Sequence, residues 1–205
     1  MPILLNRHTG LEEDADIVSP IGAAHIACYT SDWLPMLQSK VDELKQAGRY
    51  TLPALAENNV EDAHWEWSKK ALERAGELQW NSYAVQCGQR TQGLMYVNLI
   101  PRCRLPEQVG EHMVTIDLLA TAPWNRPNLA QSPVYRGVGG LLMTEAILLS
   151  RDEGFGGRIG LHALPRAANF YRTQWCMESL GADPHYGDLH YFELTAERAA
   201  DLLGS

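Results

Sequence analysis

Apolar positions along this chain recur with two different periods, and the change between them falls near residue 80. Leu34, Leu37, Val41 and Leu44 return at helical spacing behind Ser31, a residue suited to cap a helix. A short strand is expected before it, from Ala24 to Tyr29. A second helix is expected from Val60 to about Ala75, with Asn59 as its cap and Asp62 at its third position. From Asn81 the period drops to two. Tyr83, Val85 and Cys87 alternate with polar neighbours, Gly88 marks a turn, and Leu94, Tyr96 and Asn98 alternate with Met95, Val97 and Leu99, which predicts two antiparallel strands. Val114 to Thr121 reads as a further strand closed by Pro123, and the Pro- and Asn-rich stretch Trp124 to Val134 reads as a loop. Gly139 to about Glu153 is apolar nearly all round, the mark of a helix packed on several sides. A strand from Arg158 to Leu164, a helix from about Pro165 and a last strand from Leu189 to Leu194 complete a mixed α/β order with mainly antiparallel strands first.

A chain of 205 residues fits one domain with a sizeable core, so residues 1–205 are expected to form a single domain. Residues 1–23, with Glu12, Glu13, Asp14 and Asp16, read as an irregular acidic leader, residues 24–78 as a variable part, and residues 79–194 as the core region. No apolar run approaches the roughly 20 residues that cross a bilayer, and Met1 to Gly10 holds too short an apolar stretch for a secretory signal. A cytoplasmic location away from membranes is the expectation. Cys28, Cys87, Cys103 and Cys176 stand without CxxC or Cys/His spacing, so buried free thiols are expected rather than a disulfide framework or a metal site. A formal net charge of -8 argues against nucleic acid as the main partner and suits a cationic or amine-bearing one.

The most informative stretch is Tyr135-Arg136-Gly137-Val138-Gly139-Gly140-Leu141-Leu142, between a strand and the apolar helix. Glycine there lets backbone approach a ligand, and successive free N–H groups at a helix start, aided by the helix dipole, suit a phosphate or pyrophosphate. A tightly packed helix entry is the plain structural alternative. A Walker loop needs GxxxxGK followed by Ser or Thr, and the chain lacks that lysine. A dinucleotide fingerprint needs a third glycine where Leu142 stands and a tight turn from the preceding strand, whereas here a long loop follows Thr121.

The spacing of Arg136, Gly139 and Leu141 resembles the RxxGxG/A element of the GNAT superfamily of acyl-CoA-dependent N-acyltransferases, with Leu141 departing at the last position. Ala168-Asn169-Phe170-Tyr171 is similar to the family's Asn/Ala-x-x-Phe-Tyr element on the helix after the next strand. The resemblance spans about Gln79 to Leu194, and the run from Asp117 to Arg126 with the glycine stretch also resembles a bacterial subgroup of unassigned substrate. It implies a largely antiparallel twisted sheet with splayed central strands and helices on both faces. It also implies acetyl-CoA as acyl donor. Pantetheine would lie against Leu118, Leu119 and Ala120, and the pyrophosphate would lie at Arg136, Gly137, Val138, Gly139, Gly140 and Leu141, with Asn169 nearby. Tyr171 stands at the family's general-acid position, where it would protonate the leaving thiolate.

The base has three candidates on the residues themselves. Asp117 lies in an otherwise apolar strand, and a solvent-facing place in the alternation is its plain alternative. Glu66 sits between Trp65 and Trp67, which offers a carboxylate with aromatic walls, or ordinary packing of the two rings. His162, on the second splayed strand, is of a type suited to proton transfer, with a satisfied strand histidine as its plain alternative. The function expected is transfer of an acetyl or short acyl group from coenzyme A to a primary amine, without a metal. A catalytically silent acyl-CoA-binding or protein-interaction module with the same fold is the alternative. The acceptor's identity and the oligomeric state are left open, a homodimer included.

Overall fold

The period-two segment beginning near residue 80 forms the middle of a seven-stranded sheet. The computed structural model describes residues 1–204. The strands are β1 (Ile3–Asn6), β2 (Glu12–Asp14), β3 (Asp16–Val18), β4 (Trp80–Cys87), β5 (Arg90–Asn98), β6 (Val114–Thr121), β7 (Tyr135–Arg136), β8 (Ile159–Ala163), β9 (Glu178–Asp183) and β10 (Leu189–Leu194). The large sheet has the order β3-β4-β5-β6-β8-β10-β9, and a small sheet has the order β2-β1-β7. Gly88 and Gln89, both at positive φ, close the β4–β5 hairpin. β8 and β10, β9 and β10, and β3 and β4 are antiparallel, whereas β6 and β8 are parallel.

The helices are α1 (Ala23–Cys28), α2 (Leu34–Gln46), α3 (Leu52–Glu57), α4 (Trp67–Glu73), α5 (Val138–Asp152), α6 (Ala168–Gln174) and α7 (Ala196–Leu203). Contacts divide the chain into two compact units. One holds Met1–Met95 with Leu119–Leu142, and the other holds Tyr96–Leu118 with the chain from Met143 onward.

Several local expectations change. Ala24 to Tyr29 is helical instead of extended: α1 opens behind Gly22 and joins α2 through a π turn at Tyr29–Trp33, so Ser31 caps nothing. Its alanines favour helix, and of the segment's apolar residues only Tyr29 is buried, its ring packing edge-on against Trp33. Val60 to Ala75 is not one helix. Asn59 takes a positive φ, Asp62 turns inward to Arg126, and the helix begins only at Trp67. The leader is not irregular, because β1, β2 and β3 all lie within it and β3 extends the large sheet. β9 and α7 complete the second unit without having been foreseen, and of the four free cysteines only Cys87 and Cys103 are buried. No described helix is long and apolar enough to cross a membrane.

Candidate functional site

In the first unit, the small sheet delivers the chain to the glycine turn. Tyr135 and Arg136 of β7 pair with Asn6 and Leu5 of β1. Gly137 then takes φ +105°, a conformation that favours glycine, and α5 starts at the next residue. Leu141 N–H donates to Gly137 O at 2.9 Å, the first bond of the helix. The N–H groups of Val138, Gly139 and Gly140 precede it and make no hydrogen bond among the described residues. Leu141 N–H is thus already used, so the backbone offer to an anion is narrower than the expected Gly137 to Leu141 set.

Gly93 on β5 fixes where this helix end lies. A Cβ there would fall 2.6 Å from Val138 Cγ1 and 3.0 Å from Leu142 Cδ1, so only glycine lets the first turn of α5 rest on the strand. The loop before the turn is held by buried amides. Gln92 Oε1 accepts from Trp124 Nε1 at 2.8 Å and Asn125 Nδ2 at 3.0 Å, and Asn125 Oδ1 accepts from Tyr135 N–H at 2.9 Å. Arg126 and Asp62, both buried, form a two-pronged ion pair, and Arg126 Nε also donates to Thr121 O at 2.7 Å. Glu13 of β2 accepts from Tyr135 Oη at 2.7 Å and from Asn6 Nδ2 at 2.6 Å, bonds that hold its carboxyl below the usual range. Burial, then the bond to Glu13, pushes the Tyr135 hydroxyl up.

In the second unit, β6 and β8 pair over three residues only: Val114↔Ile159, Thr115↔Gly160 and Ile116↔Leu161. The pairing ends there, although β6 runs on to Thr121 and β8 to Ala163. Leu161 lies opposite Phe192 of β10, and the Phe192 ring faces Tyr171 of α6 at 6.3 Å. Tyr171 is buried, which raises its hydroxyl pKa, and the hydroxyl makes no hydrogen bond among the described residues. The opposite sheet face carries Gly160, His162 and Tyr191, packed with Cys103 and Met113.

His162 Nε2 lies 2.9 Å from Asp183 Oδ2, and its ring stacks on Tyr186 at 3.6 Å between centroids. Arg104 Nη1 donates to the same carboxylate oxygen at 2.6 Å. Arg104 first, then His162, holds the Asp183 carboxyl well below the usual carboxylate range. Glu193, fully buried on the same strand as Tyr191, accepts from the N–H groups of Arg104 and Leu105 and from Gln108 Nε2, which fixes the segment carrying Arg104.

The other residues singled out in the sequence fall as follows. Leu118 and Ala120 are buried and Leu119 is half-buried, while Asp117 is exposed at the first position of β6 past the pairing with β8. Arg136 and Asn169 are exposed, and Asn169 O accepts from Thr173 Oγ1 at 2.8 Å. Glu66 precedes α4 with its carboxylate 3.6 Å from Lys69 Nζ on the helix surface. Trp67 is buried against Tyr29 rather than walling a carboxylate, as the opposite directions of adjacent side chains require. Asp183, Arg104 and Glu13 escaped the sequence reading. Asp183-Pro184 announces a turn, but no spacing links it to His162 or Arg104, and an acidic leader gives no strand period.

Among solved structures, the chain is similar to PaiA N-acetyltransferase from Thermoplasma acidophilum, determined in complex with coenzyme A. The TM-score is 0.55 at 11% identity, over 88% of this chain and 98% of that one. It is also similar to a GCN5-related N-acetyltransferase from Ralstonia eutropha, with TM-score 0.46, 16% identity, and 78% and 91% of the two chains covered. An acetyltransferase from Corynebacterium glutamicum, described with histone acetyltransferase HPA2, gives 0.47 at 15% identity over 87% and 94%. The likeness to the first of these carries the fold. No protein-family model and no curated protein matches the chain. The chain has the GNAT fold: a mixed α/β architecture built on a seven-stranded, mostly antiparallel sheet in which β6 and β8 pair in parallel over three residues and then part.

Proposed function

We propose that the chain transfers an acetyl or related short acyl group from coenzyme A to a primary amine of a small molecule, peptide or protein. The observation that carries this reading is the early end of the β6–β8 pairing, in a unit where the hydroxyl of the buried residue Tyr171 has no partner among the described residues. Strands that stop pairing leave backbone N–H and C=O groups for an extended, amide-bearing ligand, and pantetheine is one. Leu118, Leu119 and Ala120 supply those groups on β6. The free N–H groups of Val138, Gly139 and Gly140 suit a pyrophosphate, with Gly137 making the turn and Arg136 exposed to add a polar contact. The expectation that Leu141 donates its N–H is dropped.

Tyr171 is the general acid. Burial keeps the hydroxyl protonated, so a proton is at hand for the departing thiolate. The remaining demands of the reaction, orientation and a backbone donor for the oxyanion, ask for no metal. Asp117 and Glu66 remain the carboxylate candidates for base, although Glu66 already faces Lys69. Tyr171→Phe tests the reading, because it removes the hydroxyl and keeps the ring against Phe192. Turnover of an accepted amine, found by screening polyamines, amino acids and lysine peptides, should fall about a hundredfold, at the low end of general acid catalysis because a thiolate leaves readily. Acetyl-CoA affinity should stay within about twofold. Parent-like turnover under conditions where chemistry limits the rate would leave Tyr171 as a packing residue.

A further inference from the structure

We propose that His162, oriented by Asp183, is the general base that takes the proton from the acceptor amine. The inference rests on the acyltransferase reading above and supplies the group that reading leaves open. His162 is the first residue of β8 past the last couple paired with β6, and Asp117 is its counterpart on β6. Because Thr115 lies opposite Gly160, the alternation of each strand places Asp117 and His162 on one face of the sheet. Tyr171 reaches the other face, through Phe192 and Leu161. The proton acceptor and the proton donor therefore flank the point where the two strands part from opposite sides. Acyl transfer has this geometry when the amine enters on one side and the thiol leaves on the other.

The imidazole is fixed rather than merely accommodated. Tyr186 stacks on it at 3.6 Å with planes 11° apart, Tyr191 lies at 4.8 Å, and Asp183 Oδ2 holds Nε2 at 2.9 Å. A carboxylate accepts only, so Nε2 carries the ring's hydrogen and Nδ1 carries the lone pair. Nδ1 has no hydrogen-bond partner among the described residues, and 11% of the His162 side chain stays accessible. The charged and titratable groups on the ring's side of the sheet include Asp183 from β9, Arg104 from the segment before β6, Tyr186 from the turn after β9, Tyr191 and Glu193 from β10, and Asp117 on β6. Arg104 keeps Asp183 anionic, so the aspartate orients the ring and does not take its proton.

The step balances as follows. The amine lone pair forms the N–C bond at the thioester carbonyl carbon, and the nitrogen's proton passes to His162 Nδ1. The C–S electron pair leaves on sulfur, which Tyr171 protonates. Imidazolium and phenolate then return to their starting states through solvent, leaving an amide and a free thiol.

The test uses the full chain with His162→Gln, His162→Ala and Asp183→Asn, reading the pH profile of kcat with an accepted amine and the calorimetric affinity for acetyl-CoA. His162→Gln should lower kcat about a hundredfold, remove the acid limb of the profile and leave acetyl-CoA affinity within about twofold. Added imidazole should restore part of the turnover of His162→Ala, which a packing defect would not allow. Asp183→Asn should lower kcat while leaving acetyl-CoA affinity within about twofold, because an amide can turn its NH2 to Nε2 and no longer fixes the ring's tautomer and orientation. If both His162 variants melt well below the parent, imidazole rescue alone decides. An unchanged kcat and acid limb in His162→Gln, or no rescue of His162→Ala, would overturn the base while leaving the acyltransferase standing. A parent that neither binds acetyl-CoA nor turns over any amine would overturn both.

Discussion

At the glycine turn the groups offered to a ligand are backbone N–H donors of three successive residues, Val138, Gly139 and Gly140. At the histidine pocket they are side-chain atoms brought together from distant parts of the chain: His162 and Asp183 are 21 residues apart, and Asp183 and Arg104 are 79. The first region is built by local conformation, one positive-φ glycine and a helix start, with Gly93 clearing space beneath. The second is built by the sheet, which places β8, β10 and β9 side by side. The two should fail in different ways. A backbone site tolerates changes of side-chain chemistry but not of volume, whereas a side-chain site loses its function with one atom.

The largest effect should come from filling the turn. Gly139→Trp should lower acetyl-CoA affinity at least a hundredfold while the protein still folds, because α5 is otherwise secured by Gly137, Val138 and Leu142. Calorimetry on the folded variant checks it, and parent-like affinity would put the phosphate elsewhere.

Next in size is the acid response of the histidine pocket. Asp183 has its folded-state pKa lowered by Arg104 and His162, so its contribution to stability is present above the unfolded carboxylate value, about 3.9, and is lost as pH falls through the folded value. Between pH 7 and pH 3, the melting temperature of the parent should drop more steeply at the acid end than that of Asp183→Asn. Parallel curves would mean that the carboxylate is not held as the geometry indicates. The glycine turn, built without side-chain charges, should add no such dependence.

The smallest effect sharpens the comparison from the other side. A Cβ at Gly140 would meet nothing within 4 Å, and Gly140 lies inside α5 without a positive φ, so Gly140→Ala should raise stability by about 0.5–1 kcal/mol. Gly137→Ala, at φ +105°, should lower it. Paired thermal melts of the two variants check the sign, and equal shifts would contradict the account of the turn.

The same contrast explains what the sequence could disclose. The glycine turn, the apolar helix behind it and the alternating strands are local patterns, and α5, β4, β5, β6, β8 and β10 stand within a few residues of where those patterns place them. Asp183 joins His162 through strand order and Arg104 through the Glu193 bonds that fix its segment, and no spacing encodes either. The leader hid its strands because β1 and β2 bury little beyond Leu4, and Glu13 looked like one more solvated acid until Tyr135 stood beside it. Asp62 misled because an acid just after Asn59 mimics a helix start, while its partner Arg126 lies 64 residues away.

The central claim, that this chain binds an acyl-CoA, is tested most directly by titrating acetyl-CoA into the protein in a calorimeter, with a chelator present, and by melting the protein with and without millimolar ligand. The account predicts a saturable heat without added metal and a rise in melting temperature. The stabilisation should be about 2.7 kcal/mol once the ligand stands a hundredfold above its dissociation constant. It also predicts that Gly139→Trp loses both signals and Tyr171→Phe keeps both. No heat and no thermal shift at millimolar acetyl-CoA would contradict it.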